Sequence, residues 1–309
     1  MKYYEMFAGG PRASSIVLGL MRIEALDSAS IAKLVGTARD AGVSVFDHAD
    51  IYGTSRHGCE RRFGDAVTFL PSEREQVVIQ SKVGIRDGFY DFSKAHILDT
   101  VEKSLSALRM DHLDVLLLHR PDSLVEPSEV AAAFDALHSA GKVRSFGVSN
   151  HTPGQIQLLA TEVTQPLIID QVQLSLTHAP LIAAGLASNI GGLDQSIDLS
   201  NGLLDYARIN DIALQAWSPF QSGYTGKVFI GDRDNYPELN DALDDLARDH
   251  GVTPTSIATA WLTRHPAKMQ VVLGTTTPSR VAEAVAGSDI SLSREEWYRL
   301  FRAAGYRLP

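Results

Sequence analysis

Four ionisable residues of four kinds stand where short apolar runs end. Asp47 lies in Val43–Gly53, VSVFDHADIYG, with Tyr52 just beyond it; Lys82 ends VVIQSK, and His119 ends VLLLH. Brought together, they would form a working general-acid set. Tyr is a poor acid near neutrality, with a reference pKa of about 10. A neighbouring ammonium favours the tyrosinate and lowers that value, while a carboxylate keeps the Lys charged and in place. A neutral His can donate a hydrogen bond to a substrate carbonyl oxygen and orient it. Taken singly, each residue has an ordinary structural reading, and two other chemistries use the same groups. Asp47, His48, Asp50 and His119 could ligate a metal in a hydrolase, or Lys82 could form a Schiff base.

The elements that must position these groups alternate along the chain. Apolar runs at Ile16–Leu20, Val43–Phe46, Val77–Lys82, Val115–Leu118, Val143–Val148, Leu167–Val172, Ala213–Trp217 and Val271–Leu273 read as strands. Between them lie helical patterns. Ser28–Ala41 is stopped by Gly42, a weaker helix covers about 59–69, and a long helix follows Ser93 as N-cap. A helix around Val130–Leu137 is closed by Gly141, and others cover Pro153–Ala160 and Leu203–Ile209. Leu239–Arg248 and Pro254–Arg264 precede the last strand; Ser279–Ala286 and Arg294–Ala304 follow it. Thr152-Pro153, Thr253-Pro254 and Thr277-Pro278 share an N-cap hydroxyl followed by Pro at the first helical position. Strand–helix repetition demands a parallel sheet, because each return needs a crossover. Eight such units closing on themselves predict an α/β fold, a (β/α)8 TIM barrel. It carries extra helices after strand 7 and at the C-terminus. No G-x-G-x-x-G follows an early strand, which disfavours a doubly wound open sheet. No linker or composition shift divides residues 1–309, so one domain is expected.

Composition narrows the function. The 309 residues are 44% apolar, carry a formal charge of −9 and have a pI near 5.5. That balance argues against a phosphate-binding surface and against nucleic acid as the main partner. With Cys59 alone, no intrachain disulfide forms, and a reducing, cytoplasmic setting is expected. MKYYEMFAGGPRAS has no apolar segment of the signal-peptide kind, and no stretch approaches a membrane span. Nothing demands more than a monomer or small homo-oligomer.

The FDHADIYG, QSK, LLLHRPD and FGVSN stretches together resemble the aldo-keto reductases, most closely the bacterial YdhF-like oxidoreductases, in which His follows the strand-two Asp. The motifs run in order and spacing from about Ile16 to the C-terminus. The resemblance implies NAD(P)H-dependent reduction of an aldehyde or ketone to an alcohol, with the cofactor extended across the barrel mouth. It implies Tyr52 as general acid, Lys82 and Asp47 as its tuners, and His119 as the group orienting the carbonyl. Ser149, Asn150 and Gln171 match the residues around the nicotinamide carboxamide, and Trp217 the aromatic ring against the nicotinamide. Gly19, Leu20 and Met21 are expected to bind the cofactor at the mouth. Ser218, Pro219, Phe220 and Gly223 fall on the pyrophosphate loop; Gly274, Thr275, Thr276 and Arg280 surround the adenosine phosphate. The expected cofactor is NADPH (NADP+), with NADH less favoured, and the expected partner is a small-molecule carbonyl substrate. No metal is expected.

Several positions keep a second reading. Trp217 could be a core aromatic. His48, where many members have Thr, reads as a packed, hydrogen-bonded core residue, and Asp50 as a carboxylate that orders the loop. Arg120 and Asp122 either shape the substrate rim or pair with each other. A Lys is common where Gly274 stands and an Asn near Ala284, which leaves cofactor preference open. Segments 177–201 and 221–237 are long for a compact barrel; the first reads as a substrate wall and the second as a cofactor clasp. The rival to a reductase is a nicotinamide-binding subunit that senses redox state without turnover. Neither metal nor Schiff-base chemistry accounts for Ser149, Asn150, Gln171 and Trp217.

Overall fold

Strands buried on both faces show as continuous apolar runs, and the computed structural model, which describes residues 1–5 and 12–309, places eight of them in a closed parallel barrel. They are β3 (Ile16–Gly19), β4 (Val45–Asp47), β5 (Val78–Val83), β6 (Leu113–Leu118), β7 (Val143–Ser149), β8 (Leu167–Gln173), β9 (Ala213–Trp217) and β10 (Met269–Leu273). Each pairs in parallel with its predecessor, and β10 closes on β3 with Val271 opposite Ile16. Two strands precede them: β1 (Tyr3–Glu5) and β2 (Arg12–Ser14) form an antiparallel pair. The apolar-run reading did not contain this pair. It brings Ala13 into an interior cluster with Val17, Val45, Val78, Val115, Leu117, Ile169, Ala213 and Val272.

The helices fall where their periodicity put them, with ends shifted by a few residues. Ser28–Asp40 is followed by Gly42 at φ 89°, and Ser93 Oγ accepts from the His96 amide ahead of Lys94–Leu108. The expected helix over 59–69 is split into Gly58–Ala66 and a short turn Pro71–Arg74. Pro237–His250 and Pro254–Arg264 are the extra helices before β10, and Arg294–Ala303 ends the fold. Thr152 and Thr253 cap as expected; Thr277 does not. Its side chain makes no cap bond, and its own amide donates to Thr275 Oγ1 at 3.1 Å. Among the described residues no helix is long and apolar enough to cross a membrane.

The long segments are tied down. Residues 177–201 contain the helix Pro180–Leu186 and are pinned to the C-terminal tail: the Ala179 amide donates to Tyr306 Oη at 2.6 Å, and Gln195 exchanges two bonds with the Arg307 backbone. In 221–237, the buried Asn240 accepts from the Gly231 amide at 2.6 Å. Its Nδ2 donates to the carbonyls of Phe229, Asp232 and Tyr236.

Candidate active site

Inside the barrel, residues pointing inward from neighbouring strands stack in layers. Above the apolar cluster sits a layer of amides. Gln80 Nε2 donates to Gln215 Oε1 at 2.8 Å, Gln215 Nε2 to Gln270 Oε1 at 3.0 Å, and Gln171 Nε2 to Gln215 Oε1 at 2.9 Å. All four glutamines are buried. A Gln inside an apolar run, repeated in four strands, is the signal that would have found this layer.

Asp47 and Lys82 lie on top of it. Lys82 Nζ donates to the two Asp47 oxygens at 2.7 and 2.6 Å, to the His48 carbonyl at 2.8 Å and to Tyr52 Oη at 3.0 Å. Asp47 also accepts from Gln80 and from Gln171 Nε2, the latter at 3.1 Å. Burial opposes the charge on Lys82, but Asp47 and Tyr52 outweigh it and raise its pKa above the ordinary value. A buried pair of this kind contributes little net stability; its use is to hold one ammonium against one phenol.

The Tyr52 phenol departs from expectation in sign. Burial raises its pKa by more than the Lys82 ammonium lowers it, so the group is a firmly protonated acid. His119 meets Tyr52 edge-on, with ring centroids 6.0 Å apart. Burial, with Lys82 and Arg120 nearby, holds its pKa well below the usual value, and its Nδ1 has no hydrogen-bond partner. Its Nδ1 is shielded from solvent as well as unpartnered. The Tyr52 turn is braced by Arg56, which donates to Asp50 at 2.7 Å and to the Ile85 carbonyl at 2.6 Å. Asp50 thus orders the loop as expected, and burial, against the opposing Arg56 charge, pushes its pKa up to about 6.

His48 is packed but not hydrogen-bonded, contrary to expectation. It lies edge-on against Phe63 at 4.6 Å, neither ring nitrogen has a partner, and burial lowers its pKa to about 4. Among the described residues no three His, Cys, Asp or Glu side chains form a metal-binding group.

Beside these groups a second relay crosses the mouth. Trp217 Nε1 donates to Asn150 Oδ1 at 3.0 Å, Asn150 Nδ2 to Ser149 Oγ at 2.8 Å, and Ser149 Oγ to the Gln171 carbonyl at 2.8 Å. Asn150 holds φ 62°, a left-handed conformation that Asn tolerates better than most residues. Trp217 is half-buried at the mouth rather than in the core. Gln171 has its amide nitrogen committed to Asp47 and Gln215, so it braces the acid cluster as well as adjoining Ser149.

At the β3–β10 seam, a Cβ on Gly19 would meet the Leu273 carbonyl at 2.7 Å, so only glycine fits there. Leu20 is buried, its amide bonded to the Asp47 carbonyl, while Met21 is exposed. Ser218 Oγ donates to Gln221 Oε1 at 2.7 Å, Phe220 packs on the core, and Pro219 and Gly223 complete that loop. Gly274, Thr275 and Thr276 are partly buried, and Arg280 is exposed in the first turn of Pro278–Gly287. One cation at this end was missed: Arg22 Nη1 donates to the Gly274 carbonyl at 2.9 Å. Arg120 and Asp122 do not pair. Asp122 accepts from the Phe92 and Leu124 amides, and the Arg120 guanidinium lies 5.9 Å over the Trp217 ring.

Residues 15–304 of the chain match the aldo/keto reductase family. The chain belongs to that family, whose fold and oxidoreductase class it shares. It is 34% identical to the oxidoreductase YdhF of Escherichia coli, with 97% of each chain covered. It is 33% identical to a 6-dehydroglucose reductase of Agrobacterium fabrum, with 94% of each covered. An aldo-keto reductase structure from Klebsiella pneumoniae in complex with NADPH superposes with a TM-score of 0.73 at 25% identity, covering 96% of this chain and 93% of that one.

Proposed function

We propose that the chain reduces small aldehydes or ketones to alcohols with NADPH, using Tyr52 as the general acid. The observation that carries this reading is the Tyr52 hydroxyl 3.0 Å from the Lys82 ammonium, itself clamped on Asp47. The phenol stays protonated until negative charge develops on the carbonyl oxygen; Lys82 then stabilises the tyrosinate left behind. His119, held neutral, donates to the same oxygen and fixes its direction. A bound NADPH supplies the hydride. The donor set suits it: Asn150 and Ser149 offer amide and hydroxyl groups for a carboxamide, and Trp217 offers an aromatic face beside them. Arg280, Thr275 and Thr276 offer a guanidinium and two hydroxyls for a phosphate.

The 6-dehydroglucose reductase relative favours an aldehyde derived from a sugar as one substrate type. A non-catalytic nicotinamide sensor would have no need of a buried phenol–ammonium–carboxylate triad. The test is NADPH oxidation, followed by absorbance over a panel of aldehydes and ketones and run beside NADH. Turnover with NADPH is the expected result; cofactor binding without turnover of any carbonyl would overturn it.

A further inference from the structure

Between the ends of β6, β7 and β8 and the helix Pro180–Leu186 lies a cavity of about 560 Å³. Ligand sites occupy roughly 300–1,000 Å³, so it is large enough for a small metabolite. Trp217 and Asn150 form one edge and thus join it to the relay across the mouth; Leu181 and Leu199, from the long 177–201 segment, form the far wall.

The charge of this lining runs against that of the chain. The sequence has 37 acidic residues to 28 basic, yet among the described residues no carboxylate lines the cavity and one guanidinium, Arg120, does. The two histidines in the lining, His151 and His178, have their pKa values lowered by burial, so Arg120 is the fixed cation. Among the described residues Arg120 makes no salt bridge. Its guanidinium lies over the Trp217 ring at 5.9 Å, a cation–π contact that orients the group without occupying its N–H fork. A second donor, Gln173 Nε2, also in the lining, is shielded from solvent and has no hydrogen-bond partner.

We propose that Arg120 is a specificity-determining residue that binds a carboxylate on the substrate, so that the preferred substrates are small carbonyl compounds carrying an anionic group. This rests on the reductase reading above. His119 and Arg120 are consecutive, with Cα atoms about 3.8 Å apart. The Arg120 charge also reaches His119, where with burial and Lys82 it lowers the imidazole pKa, so a carbonyl oriented by the first and an anion held by the second can belong to one molecule. The planar fork of Arg suits the two oxygens of a carboxylate.

The test compares 4-carboxybenzaldehyde with its neutral counterpart 4-formylbenzamide, with NADPH, in the wild type, Arg120→Gln and Arg120→Lys. The wild type should favour the carboxylate at least tenfold in kcat/KM. Arg120→Gln should bring that ratio within about twofold, chiefly through KM, and Arg120→Lys should restore part of it. No preference in the wild type, or a ratio unchanged in Arg120→Gln, would overturn the proposal. Calorimetry with the alcohols 4-(hydroxymethyl)benzoate and 4-(hydroxymethyl)benzamide separates it from the reductase reading. If neither aldehyde is reduced but the benzoate binds the wild type at least tenfold more tightly than Arg120→Gln, the anion site stands and the reductase reading falls. Equal binding to both proteins would remove the anion site.

Discussion

Replacing Lys82 with Met keeps the length of the side chain and removes its charge. Four contacts go at once: two to Asp47, one to the His48 carbonyl and one to Tyr52. Asp47 keeps its amide donors, Gln80 and Gln171, but stays buried without a counter-charge. Breaking one side of a buried pair costs about 3–5 kcal/mol, so Lys82→Met should lower stability by that much near pH 8. Activity should fall by a separate route. At about 4 Å and an effective dielectric near 20, an ammonium stabilises a unit negative charge by about 4 kcal/mol, roughly a thousandfold in rate. Adding Asp47→Asn separates the two effects. The double variant should regain much of the stability and none of the turnover. Thermal unfolding at pH 8, with NADPH oxidation on the same samples, reads both. A Lys82→Met protein as stable as wild type at pH 8, or a double variant less stable than Lys82→Met, would refute the reasoning.

Two further outcomes follow from the same geometry. Neither oxygen of the fully buried Asp170 has a hydrogen-bond partner; burial raises its pKa to about 8, and the facing amides of His151 and Asn150 offset only part of this. The native state therefore holds a proton that the unfolded chain releases above about pH 4, and the contribution of Asp170 to stability falls as pH rises from about 4 to 8. Asp170→Asn removes this loss, which is on the order of 4 kcal/mol at pH 7. The melting-temperature advantage of the variant should widen between pH 4.5 and 8; a gap independent of pH would contradict it. Arg280→Ala should weaken NADPH binding at least tenfold, a charged contact being worth about 1.5–3 kcal/mol, and leave NADH nearly untouched. Tryptophan fluorescence titration with each cofactor checks this, and equal losses for both would remove Arg280 from phosphate recognition.

How far the sequence reached depended on whether a feature was local. The barrel strands were legible because burial on both faces makes them continuous apolar runs. The β1–β2 pair was not: three-residue strands such as Tyr3–Glu5 carry no period. Asp47, Tyr52, Lys82 and His119 were legible as a set because adjacent strands deliver their ends to one mouth. The sign of the Tyr52 shift was not, since adjacency shows the ammonium but not the depth of burial that outweighs it. Thr277 had the composition of an N-cap, but its hydroxyl makes no cap bond, and its own amide donates to Thr275 Oγ1. The pinning of the long segments by Asn240 and Tyr306 depends on side chains meeting distant backbone, which no local pattern records.

The central claim is that Tyr52 gives up its proton as the carbonyl is reduced. Single-turnover oxidation of bound NADPH by wild type and Tyr52→Phe, at saturating aldehyde and with cofactor affinity measured on the same preparations, tests it directly. Removing a general acid slows the chemical step by about 10²–10⁴-fold, and that loss should appear with cofactor affinity preserved. A Phe variant that retained more than about a tenth of the wild-type rate would contradict the assignment.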